Sequence, residues 1–329
     1  MSGVRCINRL KKTISYLLIC AVLCVSFCAC GSSDIPLDYK VANDLSVNGI
    51  ESKAEGFSSN IAVTDKDVNG KTGFALEEES AAGLFDVNAK QVLYAKNVHE
   101  QMNPASLTKV MTAICALKYG NLEDTIICSE NINNLESGAS TCGLKPGDKL
   151  TLEQALNFML LPSANDAAIA IAEHISGSVD EFSNLMNSEA KKLGATNSHF
   201  VNPHGLTAED HYTTVYDMYL ITNEAIHYST FMDIIQLSEY SATITDKNGG
   251  EKNIDVKSSN KFHDGTYTAP ERITVIGGKT GTTTAAGSCL VLVTRDSQGN
   301  PFISVILHAS ERSVLYDEMV KLLDEINSR

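Results

Sequence analysis

Three short groups of residues in this sequence could carry out chemistry together. They are, in chain order, Ser106-Leu107-Thr108-Lys109, Ser163-Ala164-Asn165 and Lys279-Thr280-Gly281. Residues three apart on a helix share one face, so Lys109 can lie one turn above Ser106 with its amine near the hydroxyl. A serine hydroxyl is a weak nucleophile until a base removes its proton. The first group therefore predicts a serine nucleophile with a lysine as its base.

The amine of Lys109 can act as a base only if its pKa is lowered. Burial and a neighbouring positive charge both lower the pKa of an amine, because they disfavour the ammonium form. Lys279 is a candidate for that neighbouring charge. In the middle group, Asn165 can hydrogen-bond a substrate amide, and Ser163 can pass a proton to a leaving amine.

The third group lies where a strand is predicted to end. Lys279 offers a cation and Thr280 a hydroxyl to a substrate carboxylate. Gly281 lets a ligand approach the backbone closely, because it has no side chain. This group therefore predicts a carboxylate-binding wall beside the nucleophile.

Together the three groups resemble the S-x-x-K, S-x-N and K-T-G motifs of penicillin-binding proteins and serine β-lactamases. The resemblance covers about residues 75 to 326. Within that group of proteins, the sequence is most similar to the low-molecular-mass D-alanyl-D-alanine carboxypeptidases. Four further segments carry it: Pro104 to Thr112, Asn202 to Leu206, His211 to Thr214 and Ala286 to Val291. One departure is Ala164, where many members of the family have glycine.

The resemblance implies an α/β fold of the β-lactamase and DD-peptidase type. In that fold a central antiparallel sheet is flanked by helices, and an all-helical subdomain is inserted. The implied activity is removal of the terminal D-alanine from peptidoglycan stem pentapeptides through an acyl-enzyme at Ser106, without cofactor or metal and with β-lactam antibiotics as inhibitors. The resemblance also implies an oxyanion hole formed by the backbone N–H groups of Ser106 and Thr282. It places Arg312 near the carboxylate site.

The periodicity of apolar residues predicts elements that suit such a fold. Strands are predicted at Ala81 to Phe85, Gln91 to Ala95, Ser241 to Thr245, Asn253 to Lys257, Ile273 to Thr280, Ser288 to Thr294 and Phe302 to His308. Helices are predicted at Ser106 to Lys118, Thr151 to Leu161, after Asn165, at about Val179 to Leu193 and at Val314 to Ile326. Strands at both ends of the domain enclose a helical middle.

Residues 1 to 29 predict an export signal, because basic residues precede an apolar run from Ile14 to Ala29. That run is shorter than the roughly 20 residues of a membrane-spanning helix. The following Cys30 resembles the lipidated cysteine of bacterial lipoproteins, which predicts a lipid anchor on the outer face of the cytoplasmic membrane. This lipid would replace the C-terminal membrane helix of well-known family members. Cleavage after Ala29 without a lipid, and an uncleaved anchor, stay open as alternatives.

The polar residues 30 to 75 predict a flexible tether, followed by a catalytic domain at residues 76 to 329 with a helical insertion at about residues 120 to 235. The net charge of −14 argues against nucleic acid as a partner. The predicted domain contains too few cysteines for a disulfide scaffold. Cys115 and Cys289 are expected to be buried, and a bond between Cys128 and Cys142 stays open.

Three alternative hypotheses about the function have specific arguments against them. A β-lactamase of the common class needs a glutamate in a loop after the middle motif, but Ser198 to Asn202 contains no acid and Glu189 lies in a predicted helix. The spacing of His199, His204 and His211 matches no common zinc signature. A non-catalytic penicillin-binding sensor would not need every catalytic side chain to be retained.

Overall fold

The structure, a computed structural model, describes residues 57–329. Its helices are α1 (Thr108–Tyr119), α2 (Leu152–Leu160), α3 (Asn165–Ser176), α4 (Val179–Lys192), α5 (Val215–Ala225), α6 (Ser229–Ile235) and α7 (Arg312–Asp324). Its strands are β1 (Ala81–Asp86), β2 (Gln91–Lys96), β3 (Thr125–Ile127), β4 (Lys149–Thr151), β5 (Glu239–Thr245), β6 (Glu251–Lys257), β7 (Thr274–Thr283), β8 (Gly287–Arg295) and β9 (Pro301–Ala309). The predicted export signal and Cys30 lie outside the described residues.

Five strands form an antiparallel sheet in the order β2-β1-β9-β8-β7. The N-terminal strand β1 pairs with β9 from the end of the chain, with Ala81 opposite Leu307 and Asp86 opposite Phe302. The predicted sheet built from distant parts of the chain is therefore confirmed. Strand β7 lies at one edge, so one side of its backbone is not paired within the sheet.

Both faces of this sheet are buried. The helix α7 packs on one face, where Leu290, Ile306 and Tyr316 belong to one apolar cluster. The opposite face joins the larger core, to which Val291 and Val305 contribute together with the residues of the helical part. The near-continuous apolar run of β8 follows from this position between two layers.

The helices α2 to α6 lie within the predicted insertion, and the boundary between α2 and α3 shapes the site. Thr151 caps α2 in a capping box, in which its hydroxyl accepts from the Gln154 N–H and the Gln154 side chain accepts from the Thr151 N–H. The helix ends just before Pro162, which cannot continue the hydrogen-bond ladder. The helix α3 begins at Asn165, so the middle motif lies in the break between two helices.

Three parts of the fold were not predicted, and one of them is the seven-residue helix α6 (Ser229–Ile235). The short strands β3 and β4 join β5 and β6 in a second, four-stranded sheet, and three-residue strands are too short to give a readable period. The helix α5 is buried on nearly all sides, so its sequence lacks the contrast between an apolar and a polar face.

The prediction of a tether up to residue 75 is wrong for residues 57 to 75, which pack on the domain. Ala62 is fully buried, and its N–H donates to the Tyr219 hydroxyl at 2.8 Å. The N–H groups of Lys71 and Thr72 donate to the Glu325 carboxylate after α7. A polar segment can thus pack on a domain when distant side chains form hydrogen bonds with its backbone N–H groups.

Candidate active site

The predicted nucleophile Ser106 lies in a 3-10 turn, Ala105–Leu107, directly before α1. The backbone of Ala105 has φ +47°, in the left-handed region that residues other than glycine seldom adopt. The side chains before and after Ser106 are buried, whereas Ser106 itself is partly exposed. The turn therefore presents one hydroxyl to solvent from a buried helix start, as predicted.

Lys109 lies one turn along α1, with its side chain fully buried. Its amine nitrogen is 2.9 Å from Ser106 Oγ, 2.6 Å from Asn165 Oδ1 and 2.7 Å from the carbonyl oxygen of His204. None of these three neighbours is a carboxylate. The structure thus joins the first and second motifs through a single amine.

Burial lowers the pKa of Lys109 well below its ordinary value, and the positive charge of Lys279 lowers it further, whereas Asp166 acts in the opposite direction. A neutral amine has two N–H bonds and one lone pair. The oxygens of Asn165 and His204 can only accept hydrogen bonds. They therefore take the two N–H bonds, and the lone pair of Lys109 is left for the hydroxyl proton of Ser106.

The middle motif lies at the helix break described above. Ser163 has φ +69° and its side chain is nearly buried, while Asn165 is the first residue of α3. A neighbouring loop holds this geometry, since the Ser140 carbonyl accepts from the Asn165 N–H at 2.8 Å and the Ser140 hydroxyl donates to the Pro162 carbonyl at 2.9 Å. Ser140 was not predicted, because it lies in a loop whose sequence has no periodicity.

The third motif lies on the edge strand β7, where Gly281 packs against the nucleophile turn. A Cβ atom added to Gly281 would lie 2.9 Å from both the Ser106 nitrogen and the Ala105 Cβ. Only glycine allows the strand to approach this closely. The backbone of β7 and the Ser106 N–H are thus adjacent, which is the arrangement that an oxyanion hole of Ser106 and Thr282 requires.

Lys279 is almost completely buried and is not among the residues that line the cleft. Its amine donates to the Thr280 carbonyl at 2.8 Å. Burial lowers the pKa of Lys279 to about 7, and the positive charge of Arg312 contributes in the same direction. Lys279 therefore changes its charge near neutral pH, where a lysine that remained cationic had been expected.

Most of these groups line one cleft with a volume of about 640 Å³. The predicted residues that line it are Ser106, Ser163, Asn165, Thr280, Gly281, Thr282 and Arg312. Ser259 also lines the cleft and was not predicted; its hydroxyl is 2.6 Å from that of Thr280. The cleft therefore has a hydroxyl-rich wall and a cationic end, which suits a substrate that carries a carboxylate.

The histidines that follow the middle motif have structural contacts. Burial lowers the pKa of His204 to about 3 and that of His211 to about 4, so both are neutral at pH 7. Within residues 57–329, no group of three or more His, Cys, Asp or Glu side chains is arranged to hold a metal ion. The thiols of Cys128 and Cys142 are not bonded to each other.

Comparisons with known proteins agree with this geometry. A sequence profile of the D-alanyl-D-alanine carboxypeptidase family matches residues 72–311. The chain is 34% identical over 265 residues to the D-alanyl-D-alanine carboxypeptidase DacF of Bacillus subtilis, which covers 77% of this chain and 63% of that relative. The chain thus spans less than two thirds of that relative's length.

Two solved structures are similar over most of the described residues. A D-alanyl-D-alanine carboxypeptidase from Mycobacterium tuberculosis has a TM-score of 0.68 and 26% identity, with 80% of this chain and 97% of that chain covered. A DD-transpeptidase from Streptomyces has a TM-score of 0.68 and 26% identity, with 75% and 96% covered. The family profile, the relative and the folds agree, and the chain belongs to the D-alanyl-D-alanine carboxypeptidase family.

Proposed function

We propose that this protein is a serine-type D-Ala-D-Ala carboxypeptidase that removes the terminal D-alanine from peptidoglycan stem pentapeptides. The observation that carries the proposal is the position of the Lys109 amine, 2.9 Å from Ser106 Oγ and held by two other acceptors. An amine in that position can take the proton of Ser106 as its oxygen attacks a carbonyl carbon.

The reaction proceeds in two steps. Ser106 Oγ attacks the carbonyl of the penultimate D-alanine while Lys109 takes its proton, and the N–H groups of Ser106 and Thr282 bind the resulting oxyanion. The peptide C–N bond then breaks, and the proton that Lys109 took passes through the Ser163 hydroxyl to the amine of the departing D-alanine, so that Lys109 and Ser163 both return to their neutral forms. Water hydrolyses the ester on Ser106 and restores the free hydroxyl.

The substrate carboxylate belongs at the cationic end of the same cleft. The hydroxyls of Thr280 and Thr282 and the charges of Lys279 and Arg312 are the groups that would bind it. A β-lactam presents a reactive carbonyl and a carboxylate at a similar spacing. β-Lactam antibiotics are therefore expected to acylate Ser106 and to inhibit the enzyme.

Fast hydrolysis of the acyl-enzyme, as in a β-lactamase, is less well supported. Among the described residues that line the cleft, Glu136 alone carries a carboxylate, and it lies on an exposed loop. Glu189 is bound by Lys118, Tyr119 and Lys192 instead. A non-catalytic sensor would retain acylation without release of product.

Product analysis with a defined pentapeptide tests the proposal. The wild-type protein should release free D-alanine and leave a tetrapeptide, detected by mass, and Ser106→Ala should release none. A fluorescent penicillin should label the wild type and not Ser106→Ala. Labelling in a one-to-one ratio without any release of D-alanine would support the sensor instead, and full labelling of Ser106→Ala would remove Ser106 as the nucleophile.

We also propose that a lipid on Cys30 anchors the protein to the outer face of the cytoplasmic membrane. The support is the order of basic residues, apolar run and Ala29-Cys30-Gly31. In the part of the chain that the structure covers, no helix is both long enough and apolar enough to cross a bilayer. Cys30→Ala should move the protein from the detergent phase to the aqueous phase. A wild-type protein without acyl groups by mass would contradict the proposal.

A further inference from the structure

The strained turn before Ser106 is held through the carbonyl group of Ala105. This carbonyl oxygen accepts from the Thr108 hydroxyl at 2.9 Å and also from the Thr108 backbone N–H. Thr108 is fully buried and lies between Ser106 and Lys109 in the first motif. It is not among the residues that line the cleft.

A buried histidine sets the direction of that hydrogen bond. His211 Nδ1 accepts from the Val201 N–H at 3.1 Å, so the proton of this neutral ring is on Nε2. Nε2 lies 2.8 Å from the Thr108 hydroxyl and donates to it. The Thr108 hydroxyl accepts from His211, and its single proton is directed to Ala105.

The other side of the same carbonyl is closed by Gly205. A Cβ atom added to Gly205 would lie 1.8 Å from the Ala105 oxygen, and the backbone of Gly205 has φ +85°. No other residue fits here without moving the chain. The Ala105 carbonyl is therefore confined by Thr108 and by the loop that contains Gly205.

The orientation of this carbonyl determines the orientation of the Ser106 N–H. Both groups belong to one planar trans peptide unit, so they point in opposite directions. The carbonyl points to Thr108, and the Ser106 nitrogen lies beside Gly281 of β7. A rotation of this peptide unit would turn the N–H away from the cleft.

We propose that Thr108 and His211 are positioning residues that aim the Ser106 N–H at the developing oxyanion. The inference rests on the proposed function, because this N–H matters only when Ser106 attacks a carbonyl. Removing one donor of an oxyanion hole lowers the rate about 100- to 1,000-fold. A variant that keeps the Ser106 N–H but changes its direction should lower the acylation rate less, by about 10- to 100-fold.

The test measures acylation by a fluorescent penicillin in stopped flow, which separates the acylation rate constant from the dissociation constant of the non-covalent complex. Thr108→Val keeps the shape and removes the hydroxyl. It should lower the acylation rate constant about 10- to 100-fold, with the dissociation constant changed less than about threefold. Thr108→Ser should restore the rate to within about fivefold of wild type, because it restores the donor.

Thr112→Val is the matched control. Thr112 is also fully buried, lies one turn further along α1 and donates to the Pro203 carbonyl at 2.7 Å, but it does not contact Ala105. Both valine variants should lower the melting temperature by a similar amount, because each loses one buried hydrogen bond. Only Thr108→Val should lose acylation strongly.

A second variant separates the two proposed positioning residues. His211→Phe removes the donor to Thr108, and its effect on acylation should lie between those of Thr108→Val and Thr112→Val. The inference is overturned if Thr108→Val acylates no more slowly than Thr112→Val, or if Thr108→Ser is as slow as Thr108→Val. Failure of the wild type to acylate would instead overturn the proposed function.

Discussion

Two buried ionisable groups lie at opposite ends of helix α1, and their surroundings differ. At its start, the Lys109 amine is surrounded by a hydroxyl, an amide oxygen and a carbonyl. At its end, Lys118 and Tyr119 bind the buried carboxylate of Glu189 from α4, together with Lys192. Lys109 has only neutral hydrogen-bond partners, whereas Glu189 has two cations.

The two environments shift the pKa of their groups in the same direction with opposite consequences. For Glu189, burial opposes ionisation, but the hydrogen bonds from Lys118, Lys192 and Tyr119 outweigh it and lower the pKa to about 2, which favours the charged form. For Lys109, a lowered pKa favours the neutral form. The Glu189 cluster therefore stabilises the fold, and the Lys109 cluster holds an amine ready to accept a proton.

The largest expected effect comes from changing the two buried lysines of the site. Lys109→Arg should lower acylation by a fluorescent penicillin at least about 1,000-fold, because a guanidinium stays protonated and cannot act as a base. Lys279→Arg should retain measurable acylation, since its proposed task is to attract a carboxylate. Near wild-type acylation by Lys109→Arg with its loss in Lys279→Arg would reverse the two roles.

The next effect concerns stability and leaves the chemistry unchanged. Glu189→Gln should lower the free energy of unfolding by about 2 to 3 kcal/mol at pH 7, because the folded state no longer binds a carboxylate between two lysines. The lowered pKa means that this contribution is present above pH 4.5 and is lost as the pH falls towards 2. The difference between wild type and variant in urea unfolding should therefore shrink below pH 4.5.

Glu181→Gln, on the exposed surface of the same helix, is the control for that comparison. It should change unfolding by less than about 0.5 kcal/mol. Both glutamine variants should keep the acylation rate of the wild type. If Glu189→Gln abolished acylation at full stability, the carboxylate would belong to the site and the contrast between the two regions would fail.

The smallest expected effect is in the pH dependence of acylation by the wild type. The rate should rise as Lys109 loses its proton and fall above about pH 7 as Lys279 loses its own, up to about tenfold per pH unit on each side. A penicillin methyl ester has no carboxylate for Lys279 to attract. The fall at high pH should therefore be absent with the ester, and an identical fall with both compounds would contradict the role of Lys279.

Much of the site was predictable because its groups are adjacent in the chain. The spacing of Ser106 and Lys109 on one helix face, and the order of the three motifs, were enough to predict which residues line the cleft and which amine lies beside the Ser106 hydroxyl. The two main hairpins and five helices were also predicted within a few residues. Local patterns of this kind follow directly from helix and strand geometry.

The features of the site and fold that were not predicted depend on contacts between distant segments, which a local sequence pattern does not show. The His204 carbonyl that binds Lys109 and the Ser259 hydroxyl beside Thr280 belong to loops. The lowered pKa of Lys279 could not be predicted from the K-T-G motif alone, because the motif does not show that this side chain is buried. The position of residues 57 to 75 on the domain depends on the Glu325 carboxylate, which lies far along the chain and accepts a hydrogen bond from the Lys71 N–H.

The protonation state of Lys109 is the central claim, and NMR can measure it directly. In protein with isotope-labelled lysine side chains, the Lys109 signal can be assigned by its loss in Lys109→Arg. We predict that this amine is neutral at pH values where the exposed lysines remain ammonium, with a titration well below the ordinary value near 10.5. An amine of Lys109 that titrates together with the surface lysines would contradict the account.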